Sequence, residues 1–262
     1  MLYLLVRYIA RYRLKVVRSN LRTAFPAYSE SQLLKIEKDF YHHFVGLLFE
    51  SLVMGFLTKR QMRRMLRFEN MEKAENMGEQ SNTIICVFGH QCNWDLVASA
   101  PLWTEKIKIN ALYKALHNKF FDRLFVRVRQ RYGTTLIPHH SAARTILKNI
   151  KEPAGMPQLY AFNTDQSPRL GQPCEWVTFF GKETAAIPAW AQLATRYNLP
   201  VIYLHIRKVG FMQFSILIEE IKATGIHDML QQYYILLEND ITSQPGQYLW
   251  SHRRWKITRD NK

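Results

Sequence analysis

His90 and Asp95 stand five positions apart, just beyond the apolar run Thr83-Ile-Ile-Cys-Val-Phe88. The run reads as a buried strand, Gly89 as a tight turn after it, and the polar residues that follow as the mouth of a helix, where open α/β sheets place their chemistry. At this spacing the two side chains would not share a face of one continuous helix. A histidine in the turn can still meet an aspartate from the first winding, and the carboxylate then holds one ring nitrogen while the other is left as a base. Spacing alone leaves a second account open, in which His90 and Asn93 cap a helix and Asp95 suits its positive end. Cys92 offers a competing chemistry, a thiol beside a histidine that carries a covalent intermediate, although a small buried cysteine is common.

Other polar residues gather at the ends of strand-like runs. Asp165 and Gln166 follow one such run and precede the loop Ser167-Pro-Arg-Leu-Gly-Gln-Pro173, as site residues or as turn formers. Tyr113, Lys114, Asp122, Arg123, Arg127 and Arg131 surround a strand end and a helix, where several cations converge on phosphate or an acidic carrier, or else form a solvated basic face. Phe179, Phe180 and Gly181 are candidates for lining an apolar channel or for ordinary core, and Arg253, Arg254 and Lys256 for closing onto an acidic group or a membrane. The adjacent pairs His42-His43 and His139-His140 point apart on helices and strands, and no third ligand has useful spacing for a metal.

The elements that must carry these side chains form an α/β rhythm after the polar linker 79–82. Strands are expected at 83–88, 107–113, 134–137, 158–162, 201–206 and 214–221, and helices at 94–102, 119–132, 142–150, 185–197 and 227–241. The expected fold is a mixed sheet flanked by helices. Residues 1–67 read as a basic helical segment that associates with a membrane, with caps at Ser29 or Ser31 before a long apolar-periodic run at 33–57, and residues 68–262 as the α/β catalytic domain.

Charge narrows the partners. Lys and Arg outnumber Asp and Glu by 36 to 21, and the first 67 residues alone hold thirteen cations against four acids, interleaved with Leu, Val, Phe and Tyr. That mixture suits an anionic headgroup surface. Finger spacings, RNP-like aromatics and basic-zipper heptads are absent, which argues against nucleic acid. Three cysteines, Cys86, Cys92 and Cys174, without a CxxC pairing suit a reducing compartment. A membrane span needs roughly 20 apolar residues, whereas the stretch 1–9 is short and contains Arg7.

The His-x-x-x-x-Asp block after an apolar strand resembles the first block of the lysophospholipid acyltransferase superfamily and, within it, of the lipid A secondary acyltransferases. Residues 13–26, with Asn20-Leu21 and Phe25-Pro26, resemble the family's amino-terminal stretch, and residues 112–123 its second block. Thr164-Asp-Gln166, Phe179-Phe-Gly181 and residues 247–256 resemble its later blocks in order, so the likeness covers nearly the whole chain. It implies acyl transfer from an acyl carrier protein thioester to a hydroxyl of a lipid A precursor, at the cytoplasmic face of the inner membrane, with no metal or cofactor. By that resemblance His90 is the base and Asp95 its orienter. Asn93, Tyr113, Lys114, Arg131, Asp165, Gln166, Phe179, Phe180, Gly181 and Arg254 are the expected substrate-binding residues. Two departures stand out: the family's amino-terminal membrane helix is missing or clipped, and Lys114 takes a place where Arg is expected, keeping the charge but losing the planar fork. Acylation of another lipid, and a non-catalytic membrane-binding protein, are the alternatives.

Overall fold

The computed structural model describes residues 2–153 and 155–259. At its centre lies a strand whose six residues are all buried, Thr83–Phe88, as the unbroken apolar run requires of a strand covered on both faces. Seven strands form the main sheet: β1 (Leu66–Glu69), β2 (Thr83–Phe88), β3 (Lys108–Tyr113), β4 (Thr135–Pro138), β5 (Gln158–Asn163), β8 (Val201–Gly210) and β9 (Gln213–Glu220). Their order is β1-β9-β8-β2-β5-β3-β4, and every neighbouring pair is parallel except β8 with β9. The sheet is therefore mixed and mostly parallel. The carboxyl ends of β2, β3, β4 and β5 share one edge.

Alternation along β2 divides the core. Ile85 and Val87 face a cluster with Val17, Phe40, Trp190, Tyr233 and Trp250, while Ile84, Cys86 and Phe88 face another with Met62, Leu96, Ile109 and Val128. The first face is covered by α2 (Leu14–Ala24), α3 (Glu30–Met54), α8 (Ala189–Tyr197) and α9 (Ile226–Ser243). The second is covered by α4 (Lys59–Met65), α5 (Met71–Gln80), a 3-10 helix (Trp94–Leu102) and α6 (Lys119–Gln130). Ile137, Ala142 and Ile146 join β4 to α7 (His139–Lys151). Ahead of these run the short α1 (Leu2–Leu4) and a π-turn, Leu5–Ile9.

The amino-terminal helices are part of the same core as the sheet, since Val17, Leu21, Ile36 and Phe40 pack with Ile85 and Val87. Local signals set the long helix. Ser29 and Gln32 form a reciprocal capping box at the start of α3, with the Ser29 N–H donating to Gln32 Oε1 at 2.8 Å. Buried Glu37 then receives Arg7 at 2.8 Å and Arg18 at 2.6 Å, which ties α2 and the π-turn to α3. No helix among the described residues is long and apolar enough to cross a membrane.

Five elements depart from the sequence expectation. Strand β1 and helix α5 occupy stretches too short or too polar to read, and the expected linker 79–82 begins as the last turn of α5. Trp94–Leu102 winds as a 3-10 helix with Pro101 inside it rather than as an α-helix. The segment expected as one helix from 185 first completes a hairpin, β6 (Glu175–Phe179) with β7 (Lys182–Ala186), and turns helical only at Ala189, after Pro188. Cross-strand hydrogen bonds decide that stretch, and local propensity does not register them.

Candidate active site

Parallel pairing of β2 with β5 sets Phe88 opposite Asn163. Two residues further along each chain come His90 and Asp165, and their side chains meet: His90 Nδ1 lies 2.5 Å from Asp165 Oδ1. Gly89 makes the approach possible, because a Cβ there would come within 2.5 Å of Leu237 Cδ1 on α9. The His90 carbonyl accepts from the Leu249 N–H at 3.0 Å, and Thr164 N–H donates to the Phe88 carbonyl at 3.2 Å, so both loops are pinned by backbone bonds. The His90 ring also packs edge-on to Trp94 at 4.8 Å between centroids.

The pair is asymmetric in exposure: Asp165 is 3% exposed, whereas 16% of the His90 side chain faces solvent. Burial pushes the Asp165 carboxyl up, but the charge of His90 and hydrogen bonds from His90 and Tyr248 together outweigh it and hold the group at about 2. With Nδ1–H assigned to Asp165 from the hydrogen-bond pattern, Nε2 carries the lone pair, and the Gln166 amide stands 3.3 Å from it as donor. Asn163 closes the group. With its amide turned, Nδ2 donates to Asp165 Oδ1 at 3.0 Å and to the Phe88 carbonyl at 3.2 Å, and Oδ1 lies 3.3 Å from His90 Nε2, where it accepts a hydrogen bond only once that nitrogen is protonated.

Asp95, the expected orienter, does not hold the ring. Its Oδ1 receives Arg129 Nη2 at 2.7 Å and Nε at 3.0 Å, and its Oδ2 receives the Ser51 hydroxyl at 3.1 Å. The 3-10 helix turns Asp95 toward α3 and α6, and the carboxylate that faces the imidazole comes instead from the neighbouring strand. Asn93 is fully buried and donates to Glu50 at 3.3 Å, and Glu50 also pairs with Lys208 at 2.8 Å. Cys92 is buried with φ +49°, its thiol directed to Gln244 Oε1 at 3.4 Å and pushed up to about 12 by burial. A thiol so placed is a poor nucleophile.

Tyr113 and Lys114 leave the sheet at the same edge as Asn163, because β3 runs beside β5 with Ala111 opposite Ala161. Lys114 is exposed, and after burial its charge is the next cause that lowers the pKa of His139 at the end of β4. Arg131 was expected to converge here. It donates instead to the Leu57 carbonyl at 3.3 Å and fastens the end of α6. Among the described residues Arg254 pairs with no acid; it is buried, donating to the Ala185 carbonyl at 3.0 Å and to the Tyr234 hydroxyl at 2.5 Å. Phe179 is fully buried against Tyr234 and Trp255, while Phe180 and Gly181, both with positive φ, form the β6–β7 turn that packs on Phe25.

Sequence reading passed over Arg129, Ser51 and Asn163, and gave Tyr248 no role of its own within the block 247–256. Arg129 looked like any cation on the basic α6, and the others carry no local spacing to His90. Among the described residues no cluster of three His, Cys, Asp or Glu side chains is arranged to hold a metal.

A partly buried imidazole with a buried carboxylate on one nitrogen and a lone pair on the other can take a proton from a hydroxyl. A comparison with curated proteins found no match. The sequence model of the bacterial lipid A biosynthesis acyltransferases matches residues 3–257. The chain belongs to the bacterial lipid A biosynthesis acyltransferase family.

Proposed function

We propose that the chain transfers a fatty acyl group from an acyl carrier protein thioester to a hydroxyl of a lipid A precursor, with His90 as general base and Asp165 as the group that orients it. The observation that carries the reading is the 2.5 Å contact between His90 Nδ1 and Asp165, which leaves Nε2 as the basic nitrogen. A lipid hydroxyl is a weak nucleophile at neutral pH. As its oxygen attacks the thioester carbonyl, its proton passes to Nε2, and Asp165 stabilises the imidazolium. The Asn163 carbonyl oxygen suits the protonated ring and the Gln166 amide suits the neutral one. Collapse of the tetrahedral intermediate breaks the C–S bond, and the sulfur leaves with the proton that His90 returns. The products are an ester and a free thiol.

No acyl-enzyme is needed, and the inert setting of Cys92 supports a direct transfer. Asp95 acts at one remove: its ion pair with Arg129 holds α6 against the 3-10 helix beside Trp94. Lys114 stands ready for an acidic group of the acceptor. Exposed Leu4, Leu5, Tyr8 and Ile9 give the amino-terminal turn an apolar face suited to the inner membrane's cytoplasmic surface. Incubating the purified chain with acyl carrier thioesters and a panel of acceptor lipids, followed by mass spectrometry, tests the reading. Acylated lipid A precursor is expected, and its absence from every pairing, with the protein folded, would sink it.

A further inference from the structure

A second histidine with a buried carboxylate lies behind the turn that carries His90. His205 on β8 places Nδ1 2.9 Å from Asp240 Oδ2 on α9 and Nε2 2.9 Å from Glu219 Oε2 on β9. Acceptors on both ring nitrogens call for two protons, so the hydrogen-bond pattern assigns an imidazolium. Its two partners differ in exposure: Asp240 is 2% exposed, whereas 44% of the Glu219 side chain faces solvent. Tyr203, on the same face of β8, donates its hydroxyl to Asp240 Oδ2 at 2.9 Å, and Arg207 stands 3.6 Å from Oδ1. Ile85 and Val87 of β2, on that face of the sheet, add no charge. Burial lowers the pKa of His205, but hydrogen bonding and charge from Asp240, then from Glu219, outweigh it and raise the group above its ordinary 6.5. Burial, followed by the charge of Asp240, raises the Tyr203 hydroxyl, which stays a donor.

The backbone of Asp240 reaches the His90 turn. Its carbonyl accepts from Gln91 Nε2 at 2.9 Å, from the Ser243 hydroxyl at 2.7 Å and from the Gln244 N–H at 3.1 Å. Gln91 follows His90 directly and is buried, and its backbone bridges to Tyr248, which hydrogen-bonds Asp165. The Gln244 side chain accepts from the Cys92 thiol at 3.4 Å. The end of α9 thus holds both residues that follow His90, and Asp240 joins that end to β8, with its carboxylate on His205 and its carbonyl on Gln91. A buried carboxylate stripped of its counter-charge is strongly unfavourable. A neutral His205 would leave Asp240 with the Tyr203 hydroxyl and a guanidinium at 3.6 Å, so the end of α9 would have to shift and carry Gln91 with it.

We propose that His205, in its protonated form, is a positioning residue: through Asp240 and Gln91 it fixes the turn that aims His90, and turnover falls when it gives up its proton; the link to turnover rests on the acyl-transfer reading above. Because the group is raised, the clamp is complete below pH 6.5 and is lost as pH rises through the higher folded value. Steady-state kinetics of the full chain across pH, with a double-mutant cycle, test it. His205→Gln keeps a donor but no charge, and should lower kcat on the order of tenfold to a hundredfold, the scale of a displaced reacting group, with KM near that of the parent. Gln91→Ala should act likewise, and the double variant should fall no further than the worse single one, because both cut one chain of contacts. In the parent kcat should fall at alkaline pH, and Glu219→Gln should move that fall to lower pH by removing a charge that favours the imidazolium. Glu219→Gln, on a part-exposed side chain, carries the test if His205→Gln does not fold. Multiplicative losses in the double variant, a loss confined to KM, or an alkaline fall that Glu219→Gln leaves in place overturns the proposal. Amide hydrogen exchange reads the same coupling without turnover. Residues 89–93 should exchange faster in His205→Gln, and in Glu219→Gln at alkaline pH, while β3 and β4 keep the protection of the parent; unchanged exchange at 89–93 overturns the clamp. Full turnover in His90→Ala would sink the acyl-transfer chemistry and leave the exchange result standing, so the two failures are told apart.

Discussion

His90→Ala should abolish acyl transfer while leaving the circular-dichroism spectrum and thermal midpoint near those of the parent, because the ring is needed only when a proton moves. The two aspartates should separate. Asp165→Asn removes the carboxylate on Nδ1 and should lower kcat by roughly 10²-fold or more, the scale of a misplaced base, whereas Asp95→Asn loosens the contact with Arg129 and Ser51 and should cost less in rate. Steady-state rates on one donor and acceptor rank them, and the reverse order would return Asp95 to the ring during catalysis. Asp165 also has a signature in acid. Its carboxyl ordinarily titrates near 3.8 and is held at about 2 when folded, so its stabilisation is present above about pH 4 and is lost as pH falls toward 2. The loss is on the order of 2 kcal/mol. Denaturant unfolding of the parent and of Asp165→Asn should therefore differ most at neutral pH and converge near pH 2. A constant gap would contradict the pairing.

At the scale of elements, the turn after β2 is where packing and chemistry meet. Gly89→Ala drives a methyl into the Leu237 side chain, 2.5 Å from where it would stand, and that buried side chain has to give. The expected cost is about 1–3 kcal/mol, read as a lowered thermal midpoint, with a loss of turnover because the same turn aims His90. A variant as stable as the parent would show that this side chain yields freely. Six of the strands were legible because their apolar runs are bounded by polar turns; the run 83–88 corresponds residue for residue to β2. The hairpin 175–186 was not, since Ala185 and Ala186 read as helix until β6 supplies their partners. Nor was the 3-10 winding of 94–102, which decides that Asp95 faces Arg129.

Across the whole molecule, the apolar amino-terminal turn and the sheet edge that carries His90 are linked through α2 and the segment 249–256. Replacing Leu4, Leu5 and Ile9 with Ser should weaken partition to anionic vesicles by roughly 1 kcal/mol per side chain, about half the value of full burial, without changing the thermal midpoint, because all three are exposed. Sedimentation with vesicles measures it, and unchanged partition would move the membrane face elsewhere. By itself the sequence determined the α/β rhythm, the strand that delivers His90, the basic amino-terminal helices and the likeness to an acyltransferase family. These rest on local periodicity, on composition and on short blocks in order. Tertiary structure decided which acid lies against the histidine, because the partner 75 residues away is chosen by the register of β2 on β5. It also decided that His205 and Gln91 meet at Asp240 on α9. Both are pairings of distant segments, set by which faces the shared core buries, and no local spacing records them.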